Sequence, residues 1–162
     1  MARQQIELKK TDSIVGDLNR LHDEISRQAY DLFRHHEGFL TSALEDWLRA
    51  ERDLVWQPAI ELRQTDGQFE LEAAVAGVDP RDLNVQVAPE DILITARGEH
   101  HHEAKRGTVH VCEFAAGRLF RSVHLPERID PDSVKAELRN GLLRLTAAVA
   151  RPVTRKVDIQ AA

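Results

Sequence analysis

The apolar positions of this chain change period once. From Ile14 to Leu32 they recur every three or four residues, as Ile14, Leu18, Leu21, Ile25, Ala29 and Leu32. That spacing puts them on one face of an α-helix, with Asp12 or Ser13 available to cap its start. Gly38 breaks the pattern. A second, shorter helix is predicted after Thr41 or Ser42, with Leu40, Ala43, Leu44, Trp47 and Leu48 as its apolar face. Amphipathic helices bury such a face, so both stripes are expected to pack on each other or on the rest of the molecule.

Beyond Trp56-Gln57-Pro58 the period falls to two. Phe69, Leu71, Ala73 and Val75 alternate with Glu70, Glu72 and Ala74. Leu83, Val85 and Val87 alternate with Asn84 and Gln86, and Leu143, Leu145, Ala147 and Val149 form a third set. Such alternation predicts strands with one buried and one wet face. Turn signals separate them: Thr65-Asp66-Gly67, Gly77 to Pro80, Pro89-Glu90-Asp91, Gly117, Pro126 to Pro131, and Asn140-Gly141. Short strands with frequent turns predict an all-β sandwich or barrel. No strand–helix–strand rhythm argues for a parallel α/β sheet, and there is no internal repeat.

Composition narrows the function classes. The 162 residues are 42% hydrophobic but only 5% aromatic, so the core is expected to be aliphatic. The net charge of −5 speaks against a general nucleic-acid binder, which presents a basic patch. One cysteine, Cys112, rules out an internal disulfide framework. The N-terminal stretch has no signal-peptide pattern, and no apolar run is long enough for a membrane span. The cytoplasm is the expected location.

Little in the chain suggests catalysis. His100, His101 and His102, with His110 beyond, are the most eye-catching side chains. Consecutive residues point in different directions, however, and structural zinc sites need convergent ligands. The histidine run, like His35 and His36, is read as solvated, with no metal site. No phosphate-binding glycine loop and no nucleophile elbow occurs. Cys112 lies in "TVHVCEFAAG", read as a strand in which the thiol is a small buried hydrophobe rather than a nucleophile. What remains is the end of the chain. Val157 and Ile159 flank Asp158, so an extended backbone puts both apolar side chains on one side. Arg151-Pro152 prevents the last strand from running on unchanged. A tethered apolar segment of this kind suits addition to an exposed sheet edge.

At this point the residues resemble a family. The segment "AELRNGLL", from Ala136 through Asn140, Gly141 and Leu142 to Leu143, looks like the A-x-x-x-N-G-(V/L)-L signature of the small heat-shock proteins, whose shared unit is the α-crystallin domain. "FELEAAVAGVDPRDLNVQV" is similar to that family's strand–turn–strand, with Ala76 where a proline is usual. "LFRSVHLPERIDPDSVKAEL" resembles its F-x-R-x-F-x-L-P segment, with Arg121 at the recurring arginine. Val157-Asp158-Ile159 looks like its terminal I-x-I motif. The segment "RQAYDLFRHHEGFLTSALEDWLRAERDL" is similar instead to a short helical bacterial module of unknown function.

The resemblance implies an immunoglobulin-like β-sandwich over residues 56–149, a helical arm over 1–55, and a C-terminal extension over 150–162. It implies an ATP-independent holdase, not an enzyme, which needs no cofactor and binds partly unfolded proteins. It also implies dimers that build larger oligomers, with Val157 and Ile159 as the oligomerisation plug. Arg121, Glu113 and His110 are the implied dimer-interface residues, Arg121 pairing with an acid on the same or the partner subunit. Here Glu113-Phe114 stands where bacterial members often have Glu-Arg, and the loop from His100 to Thr108 corresponds to the one carrying a strand swapped between subunits. Leu18, Leu21, Leu32, Phe39, Leu44 and Trp47 are the candidates for client contact. Two other readings remain: a sandwich adaptor like the CS-domain co-chaperones, docking on one partner, and a metal- or thiol-dependent enzyme using Cys112 and the histidines.

Overall fold

A computed structural model describes residues 6–35, 42–97, 107–112 and 117–151. The three period-two segments become strands β4 (Gln68–Ala74), β5 (Leu83–Val87) and β9 (Leu142–Ala148), and the structure adds β3 (Ile60–Thr65), β6 (Asp91–Ala96), β7 (Arg118–His124) and β8 (Lys135–Arg139). Two of the anticipated turns close tight hairpins. Asp66-Gly67 links β3 to β4 and Asn140-Gly141 links β8 to β9, with φ of 50° and 76° in the first and 52° and 76° in the second. Both central residues are left-handed, the geometry that matches strand twist across a two-residue loop.

These hairpins combine into one sheet, in the order β3-β4-β9-β8. Register places Leu71 opposite Leu145 and Ala73 opposite Leu143, so the alternating apolar sets of both strands fall on the same face. That face packs on the inner side chains of β5, β6 and β7: Leu83, Val85, Val87, Ile92, Ile94, Leu119 and Val123. The aliphatic core between the two sheets is the sandwich that the alternation anticipates.

The middle of the second sheet is covered on both faces. In β6 three consecutive residues, Ile92, Leu93 and Ile94, are enclosed. Ile92 and Ile94 belong to the sandwich core, whereas Leu93 joins Phe120, Ile14 and Val55 in a separate cluster on the outer face. The helical arm supplies that cover. Helix α1 (Val15–His35) lays Leu18 and Leu21 against the outer cluster, and Leu54 at the end of α2 (Ala43–Leu54) joins them. Farther along, Ile25 and Ala29 of α1 enclose Ala50 of α2, flanked by Leu32, Trp47 and Leu54. The Ser13 hydroxyl accepts from the Val15 N–H at 3.1 Å. Ser42 and Glu45 form a reciprocal capping box that starts α2.

The second helix turns a different face inward from the one its sequence suggests. Leu44 and Leu48 are exposed, while Asp46 and Ala50 are buried and Trp47 is half-buried. Leu44 and Leu48 share one ridge of the helix; Trp47, Ala50 and Leu54 share another, and that ridge meets α1. Ala50 wins the interface because its small side chain lets the two helices approach. Leu40 and Gly38 lie outside the described residues.

Two parallel pairings complete the five-stranded sheet, whose order is β1-β5-β6-β7-β2. Strand β1 (Glu7–Lys10) runs beside β5, and the two-residue β2 (Val55–Trp56) runs beside β7. Gly117, just before β7, has φ of 115°, and a Cβ there would stand 2.6 Å from the Leu54 carbonyl oxygen. The end of α2 therefore docks where only glycine leaves room.

Two substitution tests follow from this packing. Leu143 is fully buried and Leu142, beside it, is 46% exposed. Urea unfolding at fixed subunit concentration should show Leu143→Ala costing about 2–5 kcal/mol and Leu142→Ala about 1 kcal/mol or less. Gly117→Ala forces the α2 terminus outward and should cost about 1–3 kcal/mol, with faster hydrogen exchange in the last turn of α2 than in β4 or β9.

Candidate interaction site at the sandwich edges

A sandwich made of two open sheets has four edges, and each presents unpaired backbone N–H and C=O groups. The three-residue link from Trp56 to Ile60 carries the chain between sheets, so β2 and β3 edge the same side. On the other side β8 edges the four-stranded sheet, and β5 would edge the five-stranded one but for β1.

That second side is an apolar mouth. Val85 and Val87 of β5 line one wall, and Val134, Ala136 and Leu138, partly buried against the same core, line the other. Ile6 and Leu8 fill it from outside, packed against the sandwich core. Leu8 stands opposite Val85 and Lys10 opposite Val87, and the Thr11 N–H donates to the Val87 carbonyl at 2.9 Å. Lys10 also pairs with Asp132, in the short turn before β8. The segment thus spans from one sheet's edge to the other's. A tight turn leads into β5: the Arg81 side chain and backbone N–H both donate to the Asp79 carboxylate, holding its pKa at about 2.

The predicted site residues divide by where the fold puts them. In the signature segment, Ala136 is half-buried in the mouth, Asn140-Gly141 makes the hairpin turn, Leu143 is core and Leu142 is exposed. Gly141 also approaches Ala76, whose Cα lies 3.0 Å from where a Cβ would be. Arg121 follows the inward parity of β7, between Leu119 and Val123. Its Nη1 donates to the Gln57 Oε1 at 2.8 Å, and its enclosed Nε has no partner among the described residues. Within the subunit its described side-chain partner is an amide; β7 faces Gln57 there because that residue leaves β2 directly beside it.

The client-contact candidates mostly face inward. Leu18 and Leu21 pack toward the outer face of the sheet, and Leu32 and Trp47 toward the helix–helix cluster; Leu44 is exposed. The large apolar side chains that the arm leaves in solvent also include Tyr30, Phe33 and Leu48. Sequence reasoning passed over Tyr30 and Phe33, although they sit three apart off the main stripe. It also passed over Ile6 and Leu8, although they repeat the apolar–polar–apolar spacing of Val157 and Ile159. Phe39, Glu113, Val157, Ile159 and the His100–His102 run lie outside the described residues.

The segment 107–112 corrects a further expectation. It pairs with no strand among the described residues, and Cys112 is exposed rather than buried. Val109 and Val111 alternate as a strand would, yet both stand in solvent with His110 between them. No sheet edge within the subunit receives them, so the thiol has no core to enter. Among the described residues there is no cluster of three or more His, Cys, Asp or Glu able to hold a metal, and no helix long and apolar enough to cross a membrane.

Comparison with known proteins agrees with this architecture. A probable 15 kDa heat shock protein of Leptospira interrogans is 25% identical over 119 residues, covering 74% of this chain and 90% of its own. A 17.4 kDa class I heat shock protein of Arabidopsis thaliana is 28% identical over 148 residues, covering 89% of this chain and 93% of its own. Among solved structures, heat shock protein 16.0 of Schizosaccharomyces pombe superposes with a TM-score of 0.55 at 22% identity, covering 66% of this chain and 99% of that one. The profile of the Hsp20/alpha crystallin family matches residues 61–160, which include both hairpin turns and the whole of β4 to β9. With that match over most of its length, the chain belongs to the Hsp20/alpha crystallin family, the small heat-shock chaperones.

Proposed function

We propose that this protein is an ATP-independent holdase: it captures partly unfolded proteins through apolar surface and keeps them from aggregating. Unfolding chains expose apolar side chains and unpaired strand edges, the features that drive their association. The observation that carries the reading is the pairing, in one subunit, of a sandwich edge that accepts an extended apolar segment with an arm that leaves Tyr30, Phe33, Leu44 and Leu48 in solvent. The family supports it.

In this reading residues 1–55 are the client-facing arm, 56–149 the α-crystallin domain and 150–162 an extension that links subunits. Leu18, Leu21, Leu32 and Trp47 become available to clients when the arm undocks. Among the described residues the cluster holding α1 to α2 has Ile25, Ala29 and Ala50 at its centre, and regions with few buried apolar groups open first. Warming then enlarges the capture surface without any nucleotide. Val109 and Val111 form a strand that pairs on the β3 edge of a partner, which brings His110, Glu113 and Arg121 to the dimer interface. Val157 and Ile159 plug an apolar edge of a neighbouring subunit, contributing about 1.5–3 kcal/mol each before ordering costs. Contacts this weak hold an assembly only by repetition, so individual plugs still release.

Light scattering of a heat-denatured client without ATP should fall to baseline near one subunit per client. No suppression, even after warming, would favour the one-partner adaptor instead. Val157→Ser with Ile159→Ser should lower the mass of the assembly, read by light scattering after size exclusion; an unchanged mass removes the plug. Leu44→Ser with Leu48→Ser, both at exposed positions, should change stability by about 1 kcal/mol or less while raising severalfold the amount of protein needed for suppression.

A further inference from the structure

Four residues separate Cys112 from Gly117, and from Gly117 onward the chain is gripped by the helical arm. Gly117 stands against the last turn of α2: a Cβ there would lie 2.6 Å from the Leu54 carbonyl oxygen and 3.1 Å from that of Asp53. The next residue, Arg118, pairs with Glu24 of α1 and has Val55 of β2 as its register partner. Leu119 is opposite Trp56 of β2, and Phe120 packs in the outer cluster with Leu18, Leu21 and Leu54. Gly117, Arg118, Leu119 and Phe120 thus each meet the arm.

The rest of the domain holds this stretch less firmly. The β6–β7 ladder runs from Asp91 opposite His124 to Ala96 opposite Leu119, so Gly117 and Arg118 lie beyond its end. Upstream, residues 107–112 pair with no strand among the described residues, and Val109 and Val111 stand in solvent at 60% and 77% exposure. The link from Cys112 to Gly117 spans about 17 Å at full extension. Where Val109–Cys112 leaves the subunit therefore follows from where Gly117 and Arg118 are held. The seat of Gly117 is a close fit of backbone on backbone, and packed contacts of that kind are engaged or lost rather than continuously deformed.

We propose that the arm clamps the root of the Val109–Cys112 strand. Docked, it fixes the exit of that strand and favours its pairing on a partner subunit; undocked, it frees the root and loosens the pairing. A strand held at its root has less freedom to lose than one that swings, so docking lowers the ordering cost of the dimer contact. Linkage makes the coupling reciprocal: pairing on a partner stabilises the docked arm by the same factor. Uncovering of Leu18 and Leu21 and loosening of the dimer are then coupled. The inference rests on the reading above that Val109 and Val111 pair on a partner, and it adds what regulates that pairing.

The test is hydrogen exchange of the segment 107–112 in the full chain, read by mass spectrometry at a concentration where size exclusion shows dimers or larger assemblies. Leu18→Ser with Leu21→Ser undocks α1 without altering β7 or the strand. It should speed exchange of 107–112 by about fivefold or more while β4 and β9 keep their protection. Leu21→Ala alone, a milder change that leaves the sandwich folded, should give a smaller speed-up of the same segment. Val55→Cys with Arg118→Cys, register partners on β2 and β7, is then added to the undocked protein in a Cys112→Ser background. Oxidation should restore slow exchange at 107–112 and reduction should abolish it. Exchange at 107–112 that ignores the arm substitutions overturns the coupling and leaves the strand pairing standing. A fast segment that oxidation does not slow overturns the clamp, since the arm then acts by a route other than the root of the strand. Full-speed exchange at 107–112 in the unaltered chain overturns the pairing and the clamp together.

Discussion

The backbone of an open sheet edge has to find hydrogen-bond partners, and most of this structure is arranged around that requirement. Every strand at the rim of a sheet presents N–H and C=O groups on one side with nothing to pair them. Barrels avoid the problem by closing; a sandwich cannot. Here the rim of the five-stranded sheet is finished with two borrowed pieces of the arm, β1 along β5 and β2 along β7, both parallel. The four-stranded sheet keeps β3 and β8 as its outer strands. In a family of oligomeric chaperones, edges are the currency of assembly, and what covers each of them decides when it is available.

The arm follows from the same constraint. A helix pair that merely covered an apolar patch could dock in many ways. This one is threaded between two strand additions, so β1 fixes its entry and β2 its exit. Between those points α1 lies on Leu93 and Phe120, and Arg118 of β7 pairs with Glu24 of α1. Such partly exposed pairs contribute little, so apolar packing and the two short ladders hold the arm. Both are limited in extent. Leu18, Leu21 and Trp47 are thus covered by contacts of limited extent.

Much of this was legible in the residues. Strict alternation in Phe69–Val75, Leu83–Val87 and Leu143–Val149 identifies the strands and their inward faces, because a one-residue slip would put every apolar side chain in water. Asp66-Gly67 and Asn140-Gly141 identify the hairpins through the left-handed geometry that short loops demand. The errors have physical reasons too. In α2, hydrophobicity alone pointed to Leu44 and Leu48, whereas close helix approach selects the small Ala50. In β6, the run Ile92-Leu93-Ile94 breaks alternation because α1 covers the second face, and a continuous apolar run is the signal for that. Strand β1 went unread because Ile6 and Leu8 alone make no periodicity. Its identity lies in what it pairs with, and pairing between residues some eighty positions apart is not a local property of sequence.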